Sequence, residues 1–451
     1  MSTKLFIALS LSILLLGFRL VSHNYSSVPF PGESRDEYSF SWLGLSLLNS
    51  GRPLATSGLS SYTHQYKYIN VDSIFQSFAN PNPFPLDYPW FDHPPLFGFI
   101  PALYAQSKGV RSFSDTSVAI IRRPMIGLFV LNIALVITIA TLLFGKTSAL
   151  LSGLVFASTP LFVISSRLVQ AENFLVTLFL LSIIFLRLFI VKKNNYYFWL
   201  AVVVAGLSTL VKLSGWAVSL SLVGLIFTLN TPQKILRSVL VMVGTFLFFI
   251  LFPLYGLILD WPTFVSVFLT NSGRFFKDGL NAFTQLVTHT NITRDFQDTT
   301  VLFGWFSAFS LILAMRSRYL YILVPLVTYL FIYLIFGSQG YGWYKFPFYP
   351  FLALSIGVVL NRALAQSKLL VFVLLLILVG GSQLHRYVPP EIFTNYIWYW
   401  RLFCLGALLS LMFIKRPKSI KIMSLSVLLI VLIINIYTVY AVNITSWYEI
   451  K

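Results

Sequence analysis

Along the chain, long apolar runs alternate with short polar turns, and most of the runs approach the length a bilayer demands. The first is Leu5–Val21. After a long polar insertion the pattern resumes at Met125–Phe144, Ser148–Ile164, Phe174–Ile190, Tyr197–Val211, Trp216–Leu229 and Val239–Leu259. A second insertion follows, then Val301–Ala314, Tyr319–Phe336, Phe348–Leu360, Leu369–Val379, Ile397–Phe413 and Met423–Val442. A helical span needs about 20 mostly apolar residues. The runs are too long and too continuous for tilted barrel strands, and open sheet edges are not viable in lipid. The pattern predicts an all-α polytopic membrane protein with about thirteen transmembrane helices.

Composition narrows this further. Of 451 residues, 57% are hydrophobic and only 10% charged, against about 25% charged in soluble domains. Lys4 precedes the first run as in a secretory signal, but Ser22-His23-Asn24-Tyr25 offers no small-x-small cleavage site, so the run is read as a retained helix. The one cysteine, Cys404, falls in a predicted span, which excludes an intramolecular disulfide and a thiolate zinc cluster. The net charge of +18 would suggest nucleic acid in a soluble protein; here it points to basic cytoplasmic loops and anionic lipids or substrates.

Orientation follows from those loops. With a cytoplasmic N-terminus, Lys192-Lys193, Lys234 with Arg237, Arg316 with Arg318, Arg362 with Lys368, and Lys415-Arg416 with Lys418 all fall inside. Every acidic residue and every histidine (His23, His64, His93, His289 and His385) then falls in an outer segment or at an outer helix end. The expected location is the plasma or inner membrane, with the chemistry on its extracytoplasmic face. The first outer loop, 22–123, is too long for a plain connector and holds Tyr38–Leu48, a candidate amphipathic helix lying along the interface. The second, 260–300, holds two more candidates, Thr263–Thr270 and Leu280–Thr288. No internal repeat is visible.

Five motifs could carry chemistry. Glu33-Ser34-Arg35-Asp36-Glu37 crowds charge just after the first helix; it is either a solvated loop or a carboxylate tuned as a base by burial and by its arginine. In Tyr88-Pro89-Trp90-Phe91-Asp92-His93-Pro94-Pro95-Leu96 the prolines fix an extended backbone that presents Asp92 and His93 rigidly. Arg167 and Glu172 sit at an outer helix junction, where they either pair with each other or belong to a site. Lys212 near Gly215 is a lone cation at an outer helix end, where it could simply snorkel. Tyr344-Lys345-Phe346-Pro347 is either an aromatic belt or a place where Lys345 meets an anion and Tyr344 stacks on a sugar or prenyl unit. Outer-face cations oppose the orientation bias, so Arg35, Arg167, Lys212 and Lys345 are expected to converge on one cavity that takes a phosphate.

The ordered set resembles the GT-C superfamily of polyprenyl-phosphate-sugar-dependent glycosyltransferases, nearest to the lipid A aminoarabinose transferases and protein O-mannosyltransferases. It matches an Asp-Glu pair after the first helix (Asp36-Glu37) and a [His/Lys]-Pro-Pro-Leu stretch ending the first loop (His93 to Leu96). It also matches an Arg followed five residues later by an acid (Arg167, Glu172), a Lys near a Gly (Lys212, Gly215), and a basic-aromatic stretch leading to Pro-x-x-Pro (Tyr344 to Pro350). Glu172 departs from the usual Asp, and His93 stands where the aminoarabinose branch has lysine. The resemblance implies one transmembrane glycosyltransferase domain over 1–451, moving a sugar from a polyprenyl-phosphate donor to a lipid, glycan or protein hydroxyl. Asp36 and Glu37 are then the catalytic carboxylates, with Asp36 as general base. Arg35, Asp92, His93, Arg167, Glu172, Lys212, Tyr344 and Lys345 are then the donor- and acceptor-binding set. No cofactor is expected, and a divalent metal held by Asp and His is not favoured, because cations suffice for a phosphate leaving group. A surface polysaccharide polymerase or ligase, and a transporter, are the competing classes; inverted repeats and mid-membrane ionisable residues, which a transporter would show, are scarce.

Overall fold

The computed structural model of the chain describes residues 1–62, 65–69, 84–229, 231–273, 292–294, 298–336, 342–366 and 417–449, with isolated positions between 284 and 296 and between 398 and 409. Helix α1 (Thr3–Ser22) leads to α2 (Asp36–Ser50), strands β1 (Gln65–Ile69) and β2 (Phe84–Asp87), α3 (Phe99–Ser107), the one-turn α4 (Val118–Ile121) and α5 (Arg123–Phe144). Next come α6 (Lys146–Ser158), α7 (Pro160–Ser165), α8 (Ala171–Lys192), α9 (Asn195–Val211), α10 (Trp216–Thr228), α11 (Lys234–Phe249), α12 (Leu251–Leu259) and α13 (Trp261–Ser272). Helices α14 (Thr299–Ala314), α15 (Leu320–Phe336), α16 (Tyr349–Gln366), α17 (Pro417–Ala441) and α18 (Ile444–Glu449) follow.

Among the described residues, helices occupy eleven of the thirteen expected runs. Leu369–Val379, most of Ile397–Phe413 with Cys404, His64 and most of Leu280–Thr288 lie outside the described residues. Among the described residues, seven spans are long and apolar enough to cross a bilayer, and three shorter apolar helices, Asn195–Val211, Leu213–Thr228 and Thr299–Ala314, accompany them. The chain is therefore a multi-pass membrane protein, and about thirteen crossings are not reached among the described residues. One expected run, Ser148–Ile164, is broken in two: Thr159 is extended ahead of Pro160, which opens α7, as the residue before a proline is forced to be. The new N-terminus at Leu161 receives the Asp298 carboxylate (N to Oδ2, 3.3 Å), which also caps α14 through the Thr300 amide at 2.9 Å.

Lipid-facing and central helices differ as their residues dictate. In α1 the residues Ile13, Gly17, Leu20 and Val21 face inward, while Leu5, Ile7, Leu11 and Leu15 are exposed, a stripe with helical period. Helix α8 is buried on nearly all sides from Ala171 to Phe189, which places it at the centre. The alternating spans bring the ends of α1, α7 and α9 and the starts of α5, α8 and α14 together at one end of the bundle.

Two features of the first loop differ from expectation. It contains a short antiparallel pair, Ile69 opposite Phe84 and Gln65 opposite Asp87, so the chain is not wholly α; the proline-rich stretch that supplies β2 cannot continue a helix. The helix over Tyr38–Leu48 does form, as part of α2, but it is enclosed: Glu37 through Ser46 are all buried. It does not lie half in lipid. Its serines are satisfied internally, Ser39 Oγ donating to Thr56 O at 2.7 Å, Ser41 Oγ to Glu37 O at 2.7 Å and Ser46 Oγ to Arg52 O at 2.6 Å, so a serine-rich helix can be buried. Gly51, at φ 66°, ends it in the left-handed conformation. The second loop's Thr263–Thr270 candidate is likewise helical, as α13.

Helix α2 passes the 3-10 turn Leu96–Gly98 backbone to backbone. A Cβ on Gly44 would stand 2.0 Å from the Gly98 carbonyl oxygen, a contact that no side-chain movement relieves. Gly44→Val is expected to destabilise the protein by about 1–3 kcal/mol, read as a lowered thermal midpoint. Gly127→Ala, where an added methyl meets nothing within 4 Å, is the neutral comparison.

Candidate active site

The site grows from the stretch between α1 and α2, which two buried arginines hold in place. Arg122 grips Glu37 with both arms, Nε to Oε1 and Nη2 to Oε2 each at 2.7 Å, and its Nη1 donates to the carbonyls of Tyr25 (2.9 Å) and Pro29 (2.8 Å). Both side chains are wholly out of contact with solvent. Glu37 Oε1 also accepts the Val169 amide at 3.0 Å. Arg167 donates to the carbonyls of Leu20 (2.9 Å), Val21 (3.2 Å) and Val28 (3.1 Å), where the exposed carbonyls and dipole of the α1 C-terminus favour a cation. Gln170 Nε2 donates to Ser34 Oγ at 2.6 Å.

Successive helical residues point about 100° apart, and that divides the Asp36-Glu37 pair. Glu37 turns into the core onto Arg122. Asp36, partly exposed in the first turn of α2, stays at the edge of the site, where the helix N-terminus favours a carboxylate. Glu37 is thus not placed to take a proton from an acceptor, because both its oxygens are engaged and it is 0% exposed. Arg35, one residue earlier, is exposed.

Near Asp36 lies a second buried ion pair. Lys212 Nζ bonds Glu172 Oε1, and its ammonium lies 4.4 Å from the centroid of the Tyr344 ring, a cation–π distance. Asp36 is within electrostatic reach of both Lys212 and Glu172. The local chain explains the Lys212-to-Gly215 spacing. Lys212 is extended at the end of α9, Leu213–Gly215 forms a 3-10 turn, and α10 begins. Gly215 is required there, since a Cβ would meet the Ser208 carbonyl oxygen at 2.1 Å. Tyr344 and Lys345 come from the 3-10 segment Gly342–Phe348, where Lys345 is buried and the Tyr344 carbonyl accepts from Tyr329 Oη at 3.0 Å.

His93 and Asp92 close the first-loop side. His93 stacks on Phe40, one turn beyond Asp36 on α2, with centroids 5.4 Å apart and planes 17° apart. Asp92 accepts from Ser57 Oγ at 2.6 Å and Tyr62 Oη at 2.8 Å, and its carbonyl accepts from Asn271 of α13 at 3.0 Å. Burial, and then the Asp92 charge, push the Tyr62 hydroxyl well above its ordinary range, so it remains a donor. Asp92 ties the loop to α13. Ser57 also bridges to Asp87, its amide donating to Oδ2 at 2.9 Å, and burial raises Asp87 from the usual carboxylate range to about 6.

Of Arg35, Arg167, Lys212 and Lys345, expected to converge, the contacts above bring Lys212 to Asp36. Asp36, Glu172, Lys212 and Tyr344 share one neighbourhood. Arg167 does not join them: it is fully buried against the end of α1, and it does not pair with Glu172, whose partner is Lys212. Arg122 and Gln170 were not singled out from sequence, although Arg122 is another cation at an outer helix end, the signal that marked Arg167. Also unforeseen is a clasp around Glu33, which accepts from Arg294 Nε at 2.6 Å, Trp447 Nε1 at 2.9 Å and the Thr293 hydroxyl.

Known proteins agree with this geometry at the level of fold. The dolichyl-phosphate-mannose-protein mannosyltransferase family matches residues 92–255. No curated protein matches the chain in sequence. The structure resembles ArnT from Cupriavidus metallidurans in the apo state (TM-score 0.57, 15% identity, 97% of this chain and 76% of that one). The same protein bound to undecaprenyl phosphate gives a TM-score of 0.53 at 15% identity, covering 97% and 78%. The arabinosyltransferase EmbB from Mycobacterium smegmatis gives 0.53 at 12% identity, with 100% of this chain and 41% of that one. The archaeal oligosaccharyltransferase AglB from Archaeoglobus fulgidus, in complex with an inhibitory peptide and a dolichol-phosphate, gives 0.50 at 12% identity, with 97% and 56%. The chain thus spans about half the length of the last two. These matches bear out the resemblance to the GT-C superfamily, and the chain has the GT-C fold.

Two stability measurements test the framework. Arg122→Met leaves the Glu37 carboxylate buried without its cation and is expected to cost about 3–5 kcal/mol; the double variant Glu37→Met/Arg122→Met recovers part of it. A thermal midpoint for Arg122→Met equal to wild type would show that the pair does not hold the site. Asp87 tests the first loop. An acid whose folded pKa is raised takes up a proton on folding, so its contribution is complete below the usual carboxylate range and is lost as pH rises through about 6. Asp87→Asn should flatten the pH dependence of the thermal midpoint between about pH 4 and 7.

Proposed function

We propose that the chain is an integral membrane glycosyltransferase that moves a sugar from a polyprenyl-phosphate carrier to an acceptor hydroxyl on a lipid, glycan or protein. The site then faces the extracytoplasmic side of the plasma or inner membrane, as the basic loops at the opposite end favour. One observation carries the reading: the partly exposed Asp36 beside the Lys212–Glu172 pair, on a GT-C fold. Support comes from the carrier named in the matching family and from the undecaprenyl phosphate and dolichol-phosphate bound by two structural relatives.

Asp36 acts as the general base. The acceptor oxygen attacks the anomeric carbon while its proton passes to the Asp36 carboxylate. The bond from that carbon to the phosphate oxygen breaks, and its electron pair leaves with the polyprenyl phosphate. A single displacement inverts the anomeric centre. The phosphate already carries low-pKa oxygens, so it needs cations rather than a proton donor; Lys212, Lys345 and Arg35 supply them. Glu172 fixes the Lys212 ammonium over Tyr344, whose ring offers a face for the sugar or the prenyl unit. His93 and Asp92 shape the acceptor side. Arg167 and Glu37 act as positioning residues, through the backbone that carries Asp36. The proposal uses no cofactor and routes no step through a metal.

Transfer from a panel of radiolabelled polyprenyl-phosphate sugars in proteoliposomes tests this. Asp36→Asn should lower turnover by about 100-fold or more while donor binding persists, and wild-type transfer should survive EDTA. Turnover by Asp36→Asn at the wild-type rate would remove Asp36 as the base, and loss of transfer in EDTA, restored by a divalent cation, would replace the metal-free scheme.

A further inference from the structure

We propose that the opposite, basic end of the bundle holds a site for the phosphate of an anionic phospholipid, built from Arg187 and Tyr321. Tyr321 is 2% exposed; its hydroxyl lies within reach of the Arg187 guanidinium but has no acceptor among the described residues, and the buried Nε of Arg187 has no partner among them. The two face each other across helices, with the Arg187 guanidinium carbon 5.7 Å from the centroid of the Tyr321 ring. Buried polar groups are almost always bonded, and a guanidinium at this depth calls for a named partner.

Among the described residues the surroundings contain cations and no carboxylate. Tyr321 lies in the first turn of α15, near the positive end of the helix dipole. Arg316 and Arg318 precede that turn, and Arg362 lies with its guanidinium carbon 5.6 Å from the centroid of the neighbouring Tyr319 ring. The ion pairs among the described residues use Arg122, Lys212 and Arg294, all at the other end of the bundle.

A phosphodiester suits these donors. Its two free oxygens accept from the planar guanidinium and from the tyrosine hydroxyl together. Arg187 lies five residues before the end of α8, about 7 Å along the helix, which suits a headgroup at the edge of the hydrocarbon. Leu313 and Met315, strongly exposed just ahead of the turn, give the acyl chains an apolar path, and this favours a lipid over free phosphate.

The test uses the full chain in nanodiscs of phosphatidylcholine, with and without phosphatidylglycerol, reading the thermal midpoint and the lipid retained in native mass spectrometry. Phosphatidylglycerol should raise the midpoint and be retained. Its apparent affinity should fall about tenfold in Arg187→Gln and measurably in Tyr321→Phe, which keeps the ring and loses one oxygen. Inorganic phosphate, added to phosphatidylcholine discs, should have no effect. If phosphatidylglycerol acts equally on wild type and both variants, its effect is surface charge and the site does not exist. If inorganic phosphate stabilises as well as the lipid, the ligand is free phosphate and the lipid assignment falls. Should Arg187→Gln not fold, Tyr321→Phe decides alone.

Discussion

Two carboxylate oxygens of Glu37 and the guanidinium of Arg122, sealed from water, hold the stretch between the first two helices against the start of α5. A lone charge in such surroundings would be prohibitive, so each partner requires the other. The remaining Arg122 donors take the Tyr25 and Pro29 carbonyls, and Arg167 takes those of Leu20, Val21 and Val28. The turn between α1 and α2 thus has its carbonyls bound by side chains from the α4–α5 junction and the turn before α8. Little freedom is left in the direction from which Asp36 enters the site.

That rigidity gives the proposed chemistry its form. The side chain next to Asp36 is consumed by the core, so the carboxylate that remains is oriented by a helix whose own register cannot slip. Across from it, Glu172 and Lys212 come from the start of one central helix and the end of the next. The geometry separates two kinds of cation that the sequence presents alike: Arg122 and Arg167 are engaged by backbone and Glu37, whereas Lys212 sits beside a titratable, partly exposed acid. The charge asymmetry of the bundle fits the same logic. Carboxylate–cation pairs serve the end with the site, and the arginines at the other end have no carboxylate partner among the described residues.

Much of this was legible in the chain. Apolar runs of spanning length announced the helices, and an Arg or Lys where orientation disfavours cations marked Arg167, Lys212 and Lys345. What could not be read were partners far apart in sequence. Arg122 and Glu37 are 85 positions apart, and nothing local distinguishes Glu37 from Asp36 until the helix phase is known. The pairing of Arg167 with Glu172, suggested by their closeness in sequence, fails because the turn between them points Arg167 back at α1. The enclosure of α2 was hidden for a related reason: its serines read as a polar face until their acceptors, in loops and on α2 itself, are seen. The β hairpin had no signal beyond prolines that bar a helix.

The most direct measurement is a cryo-EM structure of the chain in a nanodisc with a polyprenyl phosphate bound. The account predicts phosphate density within hydrogen-bond reach of Lys212 or Lys345, on the side of the site faced by Asp36. Phosphate density resting elsewhere, with Lys212 still confined to Glu172 and out of its reach, would contradict it.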